Sequence, residues 1–155
     1  MSFRRTLSAD RVGALGVSPA VSVEPTESIG QVIGRMVAER VGCVLVMSDD
    51  RLEGIFTERD VLTRVLGAGA GLQEPIRSVM TSNPSVLHSD STVADVVRRM
   101  HAGGFRHMPV VESDGAVAGV VSIKRVAEYL VEHFPATIFN LPPDPGQRLS
   151  AAEGA

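Results

Sequence analysis

Tryptophan is missing from these 155 residues, tyrosine occurs once, and aromatic residues make up only 4% of the chain. Flat platforms for stacking exposed bases are therefore scarce, which argues against a single-strand nucleic-acid binder. Cysteine also occurs once, at Cys43, so no disulfide can form within the chain. That usage fits a reducing cytoplasm. Neither sign of charge dominates: 15 Lys and Arg stand against 18 Asp and Glu. Net charge thus draws the chain neither to nucleic acid nor to an anionic membrane. No apolar run reaches the roughly 18 residues of a membrane span. The opening "MSFRRTLSADRVGALG" has two arginines but no continuous apolar stretch of about 7–15 residues, as a secretory signal would need. The expectation is a soluble, cytoplasmic protein with no nucleic-acid and no membrane partner.

What is present is a repeat. Ile29, Val32, Ile33, Met36 and Val37 return as Val93, Val96, Val97, Met100 and His101, each 64 positions later. Both sets follow the i, i+3, i+4, i+7, i+8 stripe of an amphipathic helix. A proline-containing approach precedes each, "SPAVSVEPTES" and "NPSVLHSDST". Ser28 and Thr92 stand just before the stripes as N-caps, with Glu27 and Ser91 as alternatives. Beyond each helix come two short β-prone runs, "CVLVM" then "LEGIFT" and "MPVV" then "VAGVVS", separated by the turn signals "SDDR" and "ESDG". "ERDVLTRVL" and "IKRVAEYLVEHF" then read as closing helices. The unit is strand, helix, strand, strand, helix, twice.

A unit of about 50–60 residues buries too little surface to be comfortable alone. The expected solution is an α+β fold in which two β-α-β-β-α units pack across their sheets by a pseudo-twofold. Expected divisions are an extension over 1–16, a first repeat over 17–68, a connection over 69–80, a second repeat over 81–135 and a loosely held tail over 136–155. "GAGAG" (67–71) is not a dinucleotide fingerprint, since it follows a helix end instead of opening one after a strand.

"GIFTERD" (54–60) poses the functional question. Thr57 and Asp60 have the spacing of a capping box, in which each side chain accepts from the other's backbone N–H. They also stand where free N–H groups at a helix start favour phosphate. The second repeat supplies an internal comparison: its counterpart is "SIKR", with Ser122 for Thr57 and Arg125 for Asp60. A helix there starts without the acid, and an arginine in a first turn even opposes the dipole by roughly 0.3–1 kcal/mol. Capping alone does not require Asp60.

The residues "GIFTERDVL", "FRHMPVVESDGAVAGVVS" and "VMTSNPSVLHSDSTVADVVRRM" resemble the CBS domain, the module named after cystathionine β-synthase, in its tandem form. The resemblance covers roughly residues 15 to 135. It implies a sensor and not an enzyme. Tandem CBS pairs hold adenosine nucleotides between their repeats, and freestanding pairs often dimerise. AMP is the first ligand expected, with ATP, ADP, NAD(H) and S-adenosylmethionine also found in the family; no catalytic cofactor is implied.

By the same resemblance Asp60 takes the ribose hydroxyls and Thr57 the phosphate, helped by Arg59, Arg106, His107 and Lys124. Thr81, Val86, Met108 and Pro109 would form the adenine pocket under the usual cross-repeat arrangement. A pocket within one repeat would use Gly42, Cys43 and Val44 instead. Those three, with Ser122 and Arg125, form a second site that lacks the acid. Arginine has no acceptor for a ribose diol. That site is expected to be empty, or to lend its charge to the phosphates of the first ligand. The expected stoichiometry is one nucleotide per chain.

Two function classes follow. One is a nucleotide-sensing regulator of a separate, unknown protein, acting as a homodimer; the other is a scaffold or dimerisation protein whose cleft binds nothing. A zinc site is not expected, because Cys43, His88, His101, His107 and His133 include no close ligand pair. The lone Cys43, in an apolar strand, reads as a buried hydrophobe and not a nucleophile.

Overall fold

A computed structural model describes residues 2–139 of the chain. Helix α1 (Phe3–Ala9) and a 3-10 turn (Val12–Leu15) lead into the first unit. That unit comprises β1 (Ser22–Val23), α2 (Ile29–Glu39), β2 (Cys43–Ser48), β3 (Arg51–Thr57) and α3 (Glu58–Asp60). A 3-10 turn (Ile76–Ser78) and β4 (Thr81–Ser82) connect to the second unit. It comprises β5 (Leu87–His88), α4 (Val93–Gly103), β6 (His107–Val111), β7 (Val117–Ser122) and α5 (Ile123–His133), and α6 (Pro135–Phe139) follows. Most of the expected 136–155 tail lies outside the described residues.

The fold is the expected α+β pair of β-α-β-β-α units. Within each, the first strand runs parallel to the second and the second antiparallel to the third. Ser28 and Thr92 cap their helices with full capping boxes, closed by Gln31 and Asp95. Pleating sorts each strand between two layers, since neighbouring residues point to opposite faces. Val44, Val46 and Phe56 pack under α2 in a first core. Met108, Val110 and Val121 pack under α4 and α5 in a second. Cys43, Leu45 and Ile55 meet Val120 in a third cluster between the two sheets.

The boundaries between the units interlock. β4, which opens the second unit's approach, adds to the first unit's sheet by pairing Thr81 with Ile55 and Ser82 with Gly54. Ser18, on the first unit's approach, pairs with Val120 of β7, exchanging bonds of 3.0 and 2.9 Å. The two repeat-equivalent glycines admit these guests. A Cβ at Gly54 would lie 2.9 Å from the Thr81 carbonyl oxygen, and one at Gly119 only 2.2 Å from that of Ser18.

The segment before the first repeat joins the second unit's core: Val12 and Leu15 are buried there, and the Tyr129 hydroxyl donates to the Asp10 carboxylate. In return, Ile76 and Val79 of the connection are buried in the first core. Burying a side chain of this size contributes roughly 1.5–3 kcal/mol, so neither segment is a passive tether.

One element departs from expectation. "ERDVLTRVL" begins as α3 but continues as a π-helical turn over Val61–Leu66, closed by the Gly67 N–H donating to Leu62 O at 2.8 Å. Gly67 permits the wide turn, because a Cβ there would lie 2.9 Å from the Thr63 carbonyl oxygen.

Candidate functional site

β3 delivers Thr57 to the start of α3, and both readings of "TERD" meet in one geometry. Asp60 Oδ2 accepts from the Thr57 backbone N–H at 2.9 Å and from its hydroxyl at 3.1 Å. The Thr57 oxygen accepts in turn from the Asp60 N–H at 3.4 Å. The capping box is thus fully formed. It occupies one carboxylate oxygen; the other, Oδ1, is paired among the described residues only with the Arg64 Nε at 3.5 Å, well beyond the 2.7–2.9 Å of a strong charge-assisted bond. Asp60 is the sole buried polar or charged residue among those described, at 8% exposure.

At the start of this turn, beside Glu58, the two repeats meet. Ile55 and Thr57 share a face of β3, two residues apart, and Thr81 stands opposite Ile55 on β4. From the second repeat, the His107 ring closes on Gly42: its Nε2 lies 3.0 Å from where a Cβ at Gly42 would sit. The Glu58 Oε1 lies 3.4 Å from the same point. Gly42 is therefore glycine because two side chains from opposite repeats fill its missing Cβ space. Arg59 and Arg106 are exposed and make no ion pair among the described residues. Pro109 is buried opposite Val120, on the face between the sheets. Val86, half-buried, lines an open cleft of about 610 Å³ at the β-hairpin ends, with Arg51, Asn83 and Asp114.

Several sequence expectations need correction. Met108 cannot lie against a base: it is fully buried in the second core, beneath α4 and α5. Val44 likewise faces the first core and not a cleft. In both cases the strand neighbour, Pro109 or Cys43, holds the inter-repeat face, and the pleat sends the next residue the other way. Lys124 sits on α5 beside Arg125, 84% exposed and 4.0 Å from Glu128. At the second position Ser122 caps α5, accepting from the Arg125 N–H at 3.4 Å. The Arg125 guanidinium folds onto the Gly16 backbone, 2.8 Å from the Cβ position there, and pairs with Glu128 at 3.0 Å. The sequence reading passed over Arg64, although its i, i+4 spacing from Asp60 is the spacing at which helical ion pairs form.

Burial sets the titrations at the seam. It pushes the Cys43 thiol up to about 12, with the Glu58 carboxylate adding to the rise. Burial lowers His107, opposed by Glu58 and assisted by Arg106. Since the thiolate is the nucleophile, alkylation of Cys43 by iodoacetamide at pH 8 is expected to run at least about a hundredfold slower in the native protein than in urea. Equal rates would show that the thiol is accessible and ionisable. Among the described residues no group of three or more His, Cys, Asp or Glu is placed to hold a metal ion, and no helix is long and apolar enough to cross a membrane.

Two interlocked copies of one β-α-β-β-α unit, the first carrying a buried carboxylate at its closing turn, define a tandem-repeat architecture. The chain belongs to the CBS domain family, which is matched at residues 12–67 and 76–132. A CBS domain-containing protein of Arabidopsis thaliana is 34% identical over 112 residues, which make up 72% of this chain but only 21% of that relative. The crystal structure of a CBS-domain containing protein from Agrobacterium tumefaciens is 38% identical, with a TM-score of 0.70 over 76% of this chain and 97% of that one. A CBS domain protein of Pyrobaculum aerophilum, solved in complex with AMP, is 26% identical, with a TM-score of 0.71 over 79% and 96% of the two chains.

Proposed function

We propose that this chain is a regulatory module, not an enzyme, that binds one adenosine nucleotide between its repeats at Thr57 and Asp60. AMP is the first ligand on this reading, with ATP, ADP and NAD(H) as alternatives. The carrying observation is the contrast between the two pseudo-equivalent turns. Asp60 offers a carboxylate oxygen held only by a long ion pair, 3.5 Å from Arg64 Nε, and a ribose diol has two O–H donors to give it. Arg125 offers no acceptor, and its side chain lies against Gly16 and Glu128. Thr57 and Thr81 supply hydroxyls, and Arg59 and Arg106 supply unpaired positive charge for phosphate. The AMP complex of the Pyrobaculum relative supports the ligand class. Calorimetric titration with AMP, ATP and NADH tests the reading: saturation near one nucleotide per chain is expected, and no heat with any of the three would overturn it.

A ligand acts on such a pair only through different affinities for two arrangements of it, here two settings of one repeat against the other, read by a separate regulated protein in the cytoplasm. The competing reading, a scaffold that binds nothing, is favoured by one observation: Asp60 already has partners in Thr57 and Arg64.

The proposed assembly is a homodimer. Ile33, Met36 and Val37 of α2 and Val61 and Leu62 beyond α3 line an apolar groove of about 580 Å³. Val37 is 74% exposed and Leu62 65%, and Val97, Ile123 and Val131 are also exposed on α4 and α5. A second copy would cover these faces together. Leu62→Glu is expected to convert a dimer to a monomer in sedimentation equilibrium; an unchanged mass for both proteins would place the interface elsewhere or remove it.

A further inference from the structure

Arg64 touches both the Asp60 carboxylate and the chain leading into the second repeat. Its Nε faces Asp60 Oδ1 at 3.5 Å. Its Nη1 donates to the carbonyl oxygens of Val79 at 3.1 Å and Met80 at 2.8 Å. The next residue, Thr81, begins β4, which is pinned to β3 at Ile55 and Gly54. The Asn83 N–H donates to Glu53 O at 3.0 Å, extending that hold by one residue. From there the chain runs through Pro84 and Val86 into β5 and the second repeat. The π-helical turn that carries Arg64 starts immediately after Asp60, and such turns occur often at functional sites.

A guanidinium is a planar fork, able to serve two acceptors at fixed angles, and lysine cannot replace that geometry. We propose that Arg64 is a positioning residue that links the state of the Asp60 carboxylate to the crossover segment 79–83, a link that rests on the reading of Asp60 as the ribose ligand. In the free protein the guanidinium is shared between Oδ1 and the two carbonyls. Ribose hydroxyls arriving at Oδ1 compete for that oxygen and leave the guanidinium to the Val79 and Met80 carbonyls. β4 is then held more firmly, at the point where the first repeat hands over to the second.

Hydrogen exchange of the 79–83 amides tests the link, first without nucleotide. Arg64→Gln is expected to speed exchange about tenfold, whereas Asp60→Asn, which weakens the pull of Oδ1 on the guanidinium, is expected to slow it about threefold. The double variant should match Arg64→Gln alone, since Asp60 acts on the segment through Arg64. Saturating AMP is expected to slow exchange of the wild-type segment about tenfold and to leave it unchanged in Arg64→Gln. Arg64→Lys, which keeps the charge and loses the fork, carries the same comparison should the glutamine variant not fold. Unchanged exchange in the Arg64 variants, multiplicative effects in the double variant, or equal AMP protection without Arg64 would each overturn the proposal. A wild-type protein that gives no calorimetric signal with AMP would refute the ligand reading instead, and the nucleotide-free comparison would still decide the link.

Discussion

Replacing Asp60 by alanine is expected to weaken AMP binding at least about a hundredfold. Hydrogen bonds to a charged acceptor are worth roughly 1.5–3 kcal/mol each, and a ribose diol makes two, so their loss exceeds two decades in Kd. The same change removes half of the capping box at Thr57. A cap is typically worth about 1 kcal/mol, so the variant should also lose stability. Asp60→Asn separates the two effects. Its amide oxygen still accepts from the Thr57 N–H and preserves most of the cap, whereas its lost charge weakens the diol contacts by about tenfold or more. If Asp60 were only a cap, the asparagine variant would match the wild type in both assays and the alanine variant would differ only in stability. Titration calorimetry and urea unfolding of the three proteins give the answer.

The largest stability effect is expected at Gly119. Its φ of 153° lies outside the usual range of residues with a side chain, and a Cβ there would sit 2.2 Å from the Ser18 carbonyl oxygen. That oxygen belongs to backbone, so no rotamer change relieves the clash. Backbone strain of this kind costs about 1–3 kcal/mol, and overpacking costs another 1–3 kcal/mol. Gly119→Ala should therefore lose about 2–5 kcal/mol in urea unfolding and detach the Ser18 crossover from β7. Exchange of the Ser18 and Val120 amides, which now bond each other at 3.0 and 2.9 Å, would rise before the rest of the sheet opens. A loss under about 0.5 kcal/mol, the range of ordinary surface changes, would show that the close approach does not hold the N-terminal segment in place.

The repeat was legible because the helix stripes are strong: Ile29, Val32 and Met36 and their counterparts Val93, Val96 and Met100 are all buried. The strands were legible as short apolar runs between turn signals. Their facing was legible too, though only by a rule applied pairwise. Met108 and Pro109 cannot both line one pocket, nor can Cys43 and Val44, because adjacent strand residues point apart. The crossovers at Ser18 and Thr81 left no local pattern, since one or two ladder pairs depend on how whole units stack. Gly54 and Gly119, at the same place in "LEGIFT" and "VAGVVS", are their trace. The π-helical turn over Val61–Leu66 was likewise hidden, because its residues suit an α-helix equally well. That turn carries Arg64, whose i, i+4 spacing from Asp60 was the one local sign of the ion pair.

The thiol at Cys43 and the ring of His107 mark the same seam from two sides. Both are desolvated and both feel Glu58. A nucleotide phosphate arriving there meets Arg59 and Arg106 but also a carboxylate. On that balance the proposed site is expected to take a single phosphate more readily than three, so the calorimetric titrations should rank AMP ahead of ATP. The reverse order would contradict this electrostatic account.

A crystal structure of the protein grown with AMP tests the central claim most directly. The account predicts one nucleotide per chain, its ribose hydroxyls on Asp60 Oδ1 and its base between the repeats, with Arg125 still folded on Gly16. A nucleotide held at the Arg125 turn or at the hairpin-end cleft, with Asp60 untouched, would contradict it.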